Sequence, residues 1–133
     1  MIRLKNAAPA LVVAALGVSS LAARAEGECD KYQTAYDSTY CYARLFLESD
    51  KELNAVYSDL RRALRPDMQQ KLKSVQLDWI QYRDETCSRG NAINVNCNYR
   101  VNRERAEYLR DRLRECKAGT CRDDKIADKP WRD

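Results

Sequence analysis

Six cysteines and no histidine constrain this 133-residue chain more than any other feature of its sequence. Cys29, Cys41, Cys87, Cys97, Cys116 and Cys121 are even in number and follow a segment built like an export signal. In an oxidising compartment that pattern is a disulfide framework, which small exported domains use where their core is too small to hold them folded. A zinc site is the rival reading. It needs closely paired ligands such as C-x-x-C or histidine, and the chain has neither. No metal or other cofactor is expected.

The export reading rests on residues 1–25. Arg3 and Lys5 precede the apolar, small-residue run "NAAPALVVAALGVSSLAA", and "ARA" ending at Ala25 has small residues at both cleavage-determining positions. The run is short for a membrane span of roughly 20 apolar residues. Residues Glu26 to Glu28 before Cys29 do not form the small-residue motif of lipid attachment. The expected product is a soluble chain of residues 26–133, periplasmic or secreted, with no membrane anchor after cleavage. Removing Arg3, Lys5 and Arg24 lowers the count of bases from 24 to 21, against 20 acids. The mature chain is therefore close to neutral, which gives no electrostatic case for binding nucleic acid or an anionic membrane.

Apolar residues at Leu45, Phe46, Leu53, Val56, Tyr57, Leu60 and Leu64 recur at helical spacing, and predict one helix from about Thr34 to Leu64. Within it "SDKE" (Ser49 to Glu52) resembles a capping box, leaving open a break into two helices. Pro66 starts a second helix carrying Leu72, Val75, Trp79, Ile80 and Tyr82, with Gly90 placed to close it. A polar loop then leads to Cys97, and Asn102 reads as the cap of a third helix with Ala106, Leu109 and Leu113 inward. The fold class expected is all-α: a disulfide-stapled antiparallel helical hairpin plus a third helix. The domain would span residues 26–116 and a polar extension residues 117–133.

If the hairpin turns at Pro66, the helix ends near Cys41, Cys87 and Cys97 converge. Cys29–Cys41 with Cys87–Cys97 closes short loops, and Cys41–Cys87 with Cys29–Cys97 is also feasible. Cys116 and Cys121 pair with each other, having no other cysteine near.

The densest segment is "LDWIQYRDETC", Leu77 to Cys87. Without histidine the commonest general base is missing, and a cysteine nucleophile would have to escape pairing. Acids such as Asp78, Asp84, Glu48 and Glu52 sit at helical spacing in a chain that is 33% charged, the pattern of a solvated face. No catalytic residue is assigned, and the chain is expected not to be an enzyme. Trp79 shares a face with Leu72 and Val75 and reads as core, with the stem of Arg83 over its ring and the head on a carboxylate or a helix carbonyl. Asp84 either joins that network or faces water. Gln76 and Asn54 are expected to be buried, hydrogen-bonded amides at the helix interface.

The order and spacing of these residues resemble the lysozyme inhibitor LprI-like N-terminal domain family. Asp50, Leu53, Asn54, Tyr57 and Leu60 match its first motif, in "SDKELNAVYSDL". Gln76, Trp79, Tyr82, Arg83, Asp84 and Cys87 match its second, in "VQLDWIQYRDETC". Cys29, Thr34 and Cys41 match its opening, and Cys97 and Arg105 its closing helix. The resemblance implies a small secreted helical domain whose named member is a lipoprotein that inhibits lysozyme. This chain departs in having no lipid-attachment cysteine, a shorter Cys87–Cys97 loop and the added Cys116–Cys121 segment. It also lacks that member's further C-terminal region.

The function expected is that of an exported, non-catalytic bacterial envelope protein, a proteinaceous inhibitor that occludes the cleft of lysozyme or another peptidoglycan-cleaving enzyme. The alternative is a periplasmic interaction module, of immunity or stress-response type, with a non-lysozyme partner. The surfaces offered are the Ser88–Asn96 loop with Arg89 and the tail with Trp131.

Overall fold

A computed structural model describes Gly27 and residues 29–132; the expected export segment lies outside them. Three long helices run up, down and up: α1 (Ala35–Ala63), α2 (Pro66–Cys87) and α3 (Val95–Lys117). Between α2 and α3 lies a hairpin of two short strands, β1 (Ser88–Arg89) and β2 (Ala92–Ile93). A single turn, α4 (Asp123–Ile126), follows α3. The protein is all-α with three disulfides, Cys29–Cys41, Cys87–Cys97 and Cys116–Cys121. None of the described helices is long and apolar enough to cross a membrane.

Each boundary has a local cause. Thr34 caps α1, its hydroxyl oxygen accepting from the Asp37 N–H at 3.0 Å. Asp37 in the first turn and Arg61 and Arg62 in the last complement the helix dipole. Leu64 and Arg65 are extended, and Pro66 fills the first position of α2, where its missing N–H costs nothing. With two connecting residues, α2 must fold back antiparallel on α1. α3 stops in a Schellman motif: the Gly119 N–H donates to the Cys116 carbonyl and the Thr120 N–H to the Glu115 carbonyl, both at 3.0 Å. Gly119 supplies the positive φ of 86° that this motif needs. Cys116–Cys121 closes over the same turn.

Helix α1 is continuous through "SDKE", as its apolar spacing predicts; several other local expectations are corrected. Ser49 caps no new helix: it is buried and its hydroxyl donates to the Phe46 carbonyl at 2.8 Å. Inside a continuous helix the backbone N–H groups after Ser49 already donate to carbonyls one turn back, so there is no free donor for a cap to satisfy. Gly90, at φ 58°, does not close α2. It is the first residue of the two-residue hairpin turn, the position that demands a glycine, between Arg89 and its partner Ala92. The polar loop is therefore a hairpin, and α3 starts at Val95. Its cap is Asn94, whose side-chain oxygen accepts from the Cys97 N–H at 2.9 Å. Asn102 is fully buried inside α3. Asn54 lies exposed, donating to Asp50 at 3.1 Å, while Gln76 is buried as expected.

The core gathers Leu53 and Leu60 from α1, Leu72 and Trp79 from α2, and Ala106, Leu109 and Leu113 from α3. α1 and α3 run parallel and approach most closely, with Tyr42 beside Tyr99 near one end and Glu52 paired with Arg110 further along. Buried Ser49 and Ala106, both lining the groove between these helices, are small enough to allow that approach. On the other side, Met68, Leu72 and Trp79 fill the wider space that α2 leaves. The segment after α3 folds back onto the bundle, burying Ile126 in this core.

Candidate functional site

Three places in the molecule offer something beyond core packing. The first is the polar edge of the α2 signature. Arg83 lies with its Cζ 5.4 Å from the centre of the Trp79 ring. Its Nε and Nη2 donate to Asp84 at 3.0 and 2.8 Å, and its Nη1 reaches Asp50 at 3.5 Å and the Asn102 side-chain oxygen at 3.4 Å. Asn102 in turn donates to Asp50 at 3.4 Å. One residue from each long helix thus meets in a closed ring of donors and acceptors, which fixes how the helices register. Leu53 and Cys87 are buried beside it, and Tyr57 and Tyr82 pack half-buried against the core.

Acid–base chemistry finds little here. Asp84 is held by Arg83, Glu48 lies 3.8 Å from Arg44, and Glu52 pairs with Arg110. Asp78 is held below the ordinary carboxylate range by the hydrogen bond from Lys129. Asp67 is lowered by Arg65, and Asp124 is lowered to about 2 by Arg122. A general acid needs the opposite shift. Among the described residues no group of three or more Cys, Asp or Glu side chains is placed to hold a metal ion.

The second place is a cleft of about 430 Å³ lined by Trp79 and Tyr82 of α2, Val101, Glu104, Arg105 and Tyr108 of α3, and Pro130 and Trp131. Arg105 forms its floor, only 3% exposed. Its Nε donates to the buried Gln76 side-chain oxygen at 3.0 Å. Its Cζ sits 4.7 Å from the centre of the Trp131 ring and 5.5 Å from that of Tyr108. Burial lowers its pKa to about 10, which still leaves it charged at neutral pH. Trp131 is half-buried and packs on Tyr82, ring centres 6.3 Å apart. It is therefore a wall of this cleft as well as part of the tail.

The third place is the end of the bundle where two disulfides meet. Cys29–Cys41 ties the chain before α1 to its second turn, and Cys87–Cys97 closes the base of the hairpin. Beneath them Cys29, Tyr42 and Tyr99 form a small second core, separate from the leucine core. The Tyr42 hydroxyl donates to Asp30 at 2.8 Å, and burial together with that carboxylate raises its pKa. Ile93 to Asn96 line one groove with Ser38, Thr39 and Tyr42, so the hairpin rests against the start of α1. On the outside of this end Tyr36 is 80% exposed, Tyr40 63% and Ile93 64%, with Tyr32 also at the surface. Tyr36, Tyr40, Ala43 and Leu47 fall at i, i+4, i+7 and i+11, one stripe of α1 turned away from the core. Arg89 is exposed on β1 of the same hairpin.

The tyrosine stripe was legible as a second apolar face of α1, offset from the core positions. The Arg105 cleft was not, because it needs the tail to fold back.

A family model described as Lysozyme inhibitor LprI matches residues 28–109, which takes in α1, α2, the hairpin and most of α3. No curated protein and no solved structure shows a significant match.

Proposed function

Because the chain belongs to the LprI lysozyme inhibitor family, we propose that it inhibits a lysozyme by covering the enzyme's cleft with the disulfide-clamped end of the bundle. The observation that carries this reading is the exposed tyrosine stripe with Ile93 on an end held by two disulfides. Tyrosines bring large contact area with few rotatable bonds, and a surface already fixed in the free protein loses little entropy on binding. Arg89 on the hairpin is suited to meet one of the two carboxylates that glycoside-cleaving enzymes use. The inhibitor itself performs no catalysis. The near-neutral charge of the mature chain leaves shape and apolar burial as the source of affinity, so salt should change it little.

In this reading residues 1–25 direct export and are removed, and the protein works in the periplasm or outside the cell, where its disulfides persist. Residues 26–116 carry the inhibitor domain and 117–133 are a polar extension. The cleft-facing side of the tail, with Trp131, is the less exposed of the two surfaces and is assigned no primary contact.

Titrating the oxidised mature chain into a muralytic assay tests the proposal. Inhibition of at least one lysozyme type, reaching completion at a one-to-one ratio at micromolar concentrations, is the expected result. No inhibition of any type, together with capture of a different envelope protein, would replace it with an interaction module of another kind.

A further inference from the structure

We propose that the cleft between α2, α3 and the tail is a binding site for a carboxylate carried on a flat apolar body, held by Arg105. This site is separate from the clamped end and does not depend on lysozyme being the partner. Arg105 Nη1 and Nη2 are buried and meet no acceptor among the described residues, and the same holds for Trp131 Nε1. The cleft contains Arg105 and Trp131 together. All of these orphaned atoms are N–H donors, so what completes them is an acceptor.

A guanidinium buried beside a neutral amide and two aromatic rings, with no carboxylate bonded to it, is costly to leave as it stands. The one hydrogen bond it makes is to Gln76, which turns the Nε edge toward α2 and leaves the Nη side for another group. That fork matches a carboxylate, which accepts two parallel N–H bonds. The walls set the rest of the ligand. Trp79, Tyr82, Tyr108, Pro130 and Trp131 are flat and mostly apolar, and suit an aromatic or aliphatic ring better than a hydrated phosphate. Glu104, exposed and also lining the cleft, disfavours a second negative charge and points to a monoanion.

The two tryptophans of the chain, Trp79 and Trp131, both line the cleft, so intrinsic emission reports on it directly. The oxidised chain is titrated with benzoate and with benzamide, its neutral isostere, and with N-acetylphenylalanine and the corresponding amide. The first pair stands for a free organic acid and the second for a peptide C-terminus. Saturable emission changes with the carboxylates, and at least tenfold weaker binding of the amides, are expected. Whichever carboxylate binds tighter identifies the source. Arg105→Gln should weaken binding at least tenfold. Should that variant fail to fold, Gln76→Glu provides the second reading: it places an internal carboxylate beside Arg105 and should weaken binding by a similar factor. A linear, unsaturated response to the carboxylates up to tens of millimolar, or amides that bind as well as acids, would overturn the proposal. So would Gln76→Glu with undiminished affinity.

Discussion

The middle of the bundle and its clamped end are stabilised by different means. In the middle, leucines and Trp79 from three helices exclude water over a continuous core. At the end, the core shrinks to Cys29, Tyr42 and Tyr99, and two disulfides hold together what burial alone would not. The middle is bordered at one edge by the bonded triad of Asp50, Arg83 and Asn102, whereas the end leaves Tyr36, Tyr40 and Ile93 in water. Cross-links free the end from having to bury its own apolar side chains. A small domain can in this way hold a rigid apolar surface available to a partner while its stability resides elsewhere.

The contrast can be broken most forcefully in the middle. Trp79→Ala removes the largest side chain of the leucine core and should cost about 3–5 kcal/mol, read from chemical denaturation. Inhibition per folded molecule should remain near that of the wild type. Next, replacing Cys87 and Cys97 together with serine should cost about 2–4 kcal/mol and weaken inhibition beyond the loss of folded protein, because the hairpin is no longer fixed. The same exchange at Cys116 and Cys121, which close a loop far from that end, should leave inhibition intact.

Asn102→Ala tests the polar ring. Losing a buried amide shared by Arg83 and Asp50 should cost about 1–3 kcal/mol. At the surface the order reverses. Tyr36→Ala with Tyr40→Ala should alter stability by no more than about 0.5 kcal/mol, yet raise the inhibition constant at least tenfold. A change in stability without a change in inhibition would make the stripe a packing feature.

The smallest effect belongs to the tail. Asp78 bonds Lys129, Asp123 bonds Arg65 at 2.6 Å, and Asp124 bonds Arg122. Asp78 and Asp124 have folded pKa values below their unfolded ones. Their contribution is therefore complete above the unfolded carboxylate range and is lost as pH falls through the folded values, about 2 for Asp124. Trp131 emission should shift in acid below about pH 4, before the far-UV helix signal falls, and inhibition should not follow it.

Much of the fold could be read from the sequence, for reasons that differ by element. The limits of α1 follow from Thr34 and Pro66, which act within a turn of where they stand. The inward faces of α2 and α3 follow from helical spacing at Leu72, Val75, Trp79, Ala106, Leu109 and Leu113. Asn102 misled because an asparagine looks alike as a cap and as a buried member of a ring, and only contacts with Asp50 and Arg83 distinguish the two. Gly90 misled because a positive φ serves a helix stop and a hairpin turn equally well. The parallel approach of α1 and α3 is allowed by small residues on both helices, Ser49 and Ala106, that line the groove between them, a placement no local pattern shows. Trp131 and Arg105 are 26 positions apart, and the cleft between them exists only because α4 buries Ile126 and brings the tail back over α2.

Side-chain footprinting of the oxidised chain by hydroxyl radicals, alone and with a saturating amount of a lysozyme inhibited in the muralytic titration, tests the clamped end as the docking surface. Tyr36, Tyr40 and Ile93 should lose reactivity in the complex while Trp131 is unchanged. Full reactivity at Tyr36 and Tyr40, with protection confined to the tail around Trp131, would contradict it.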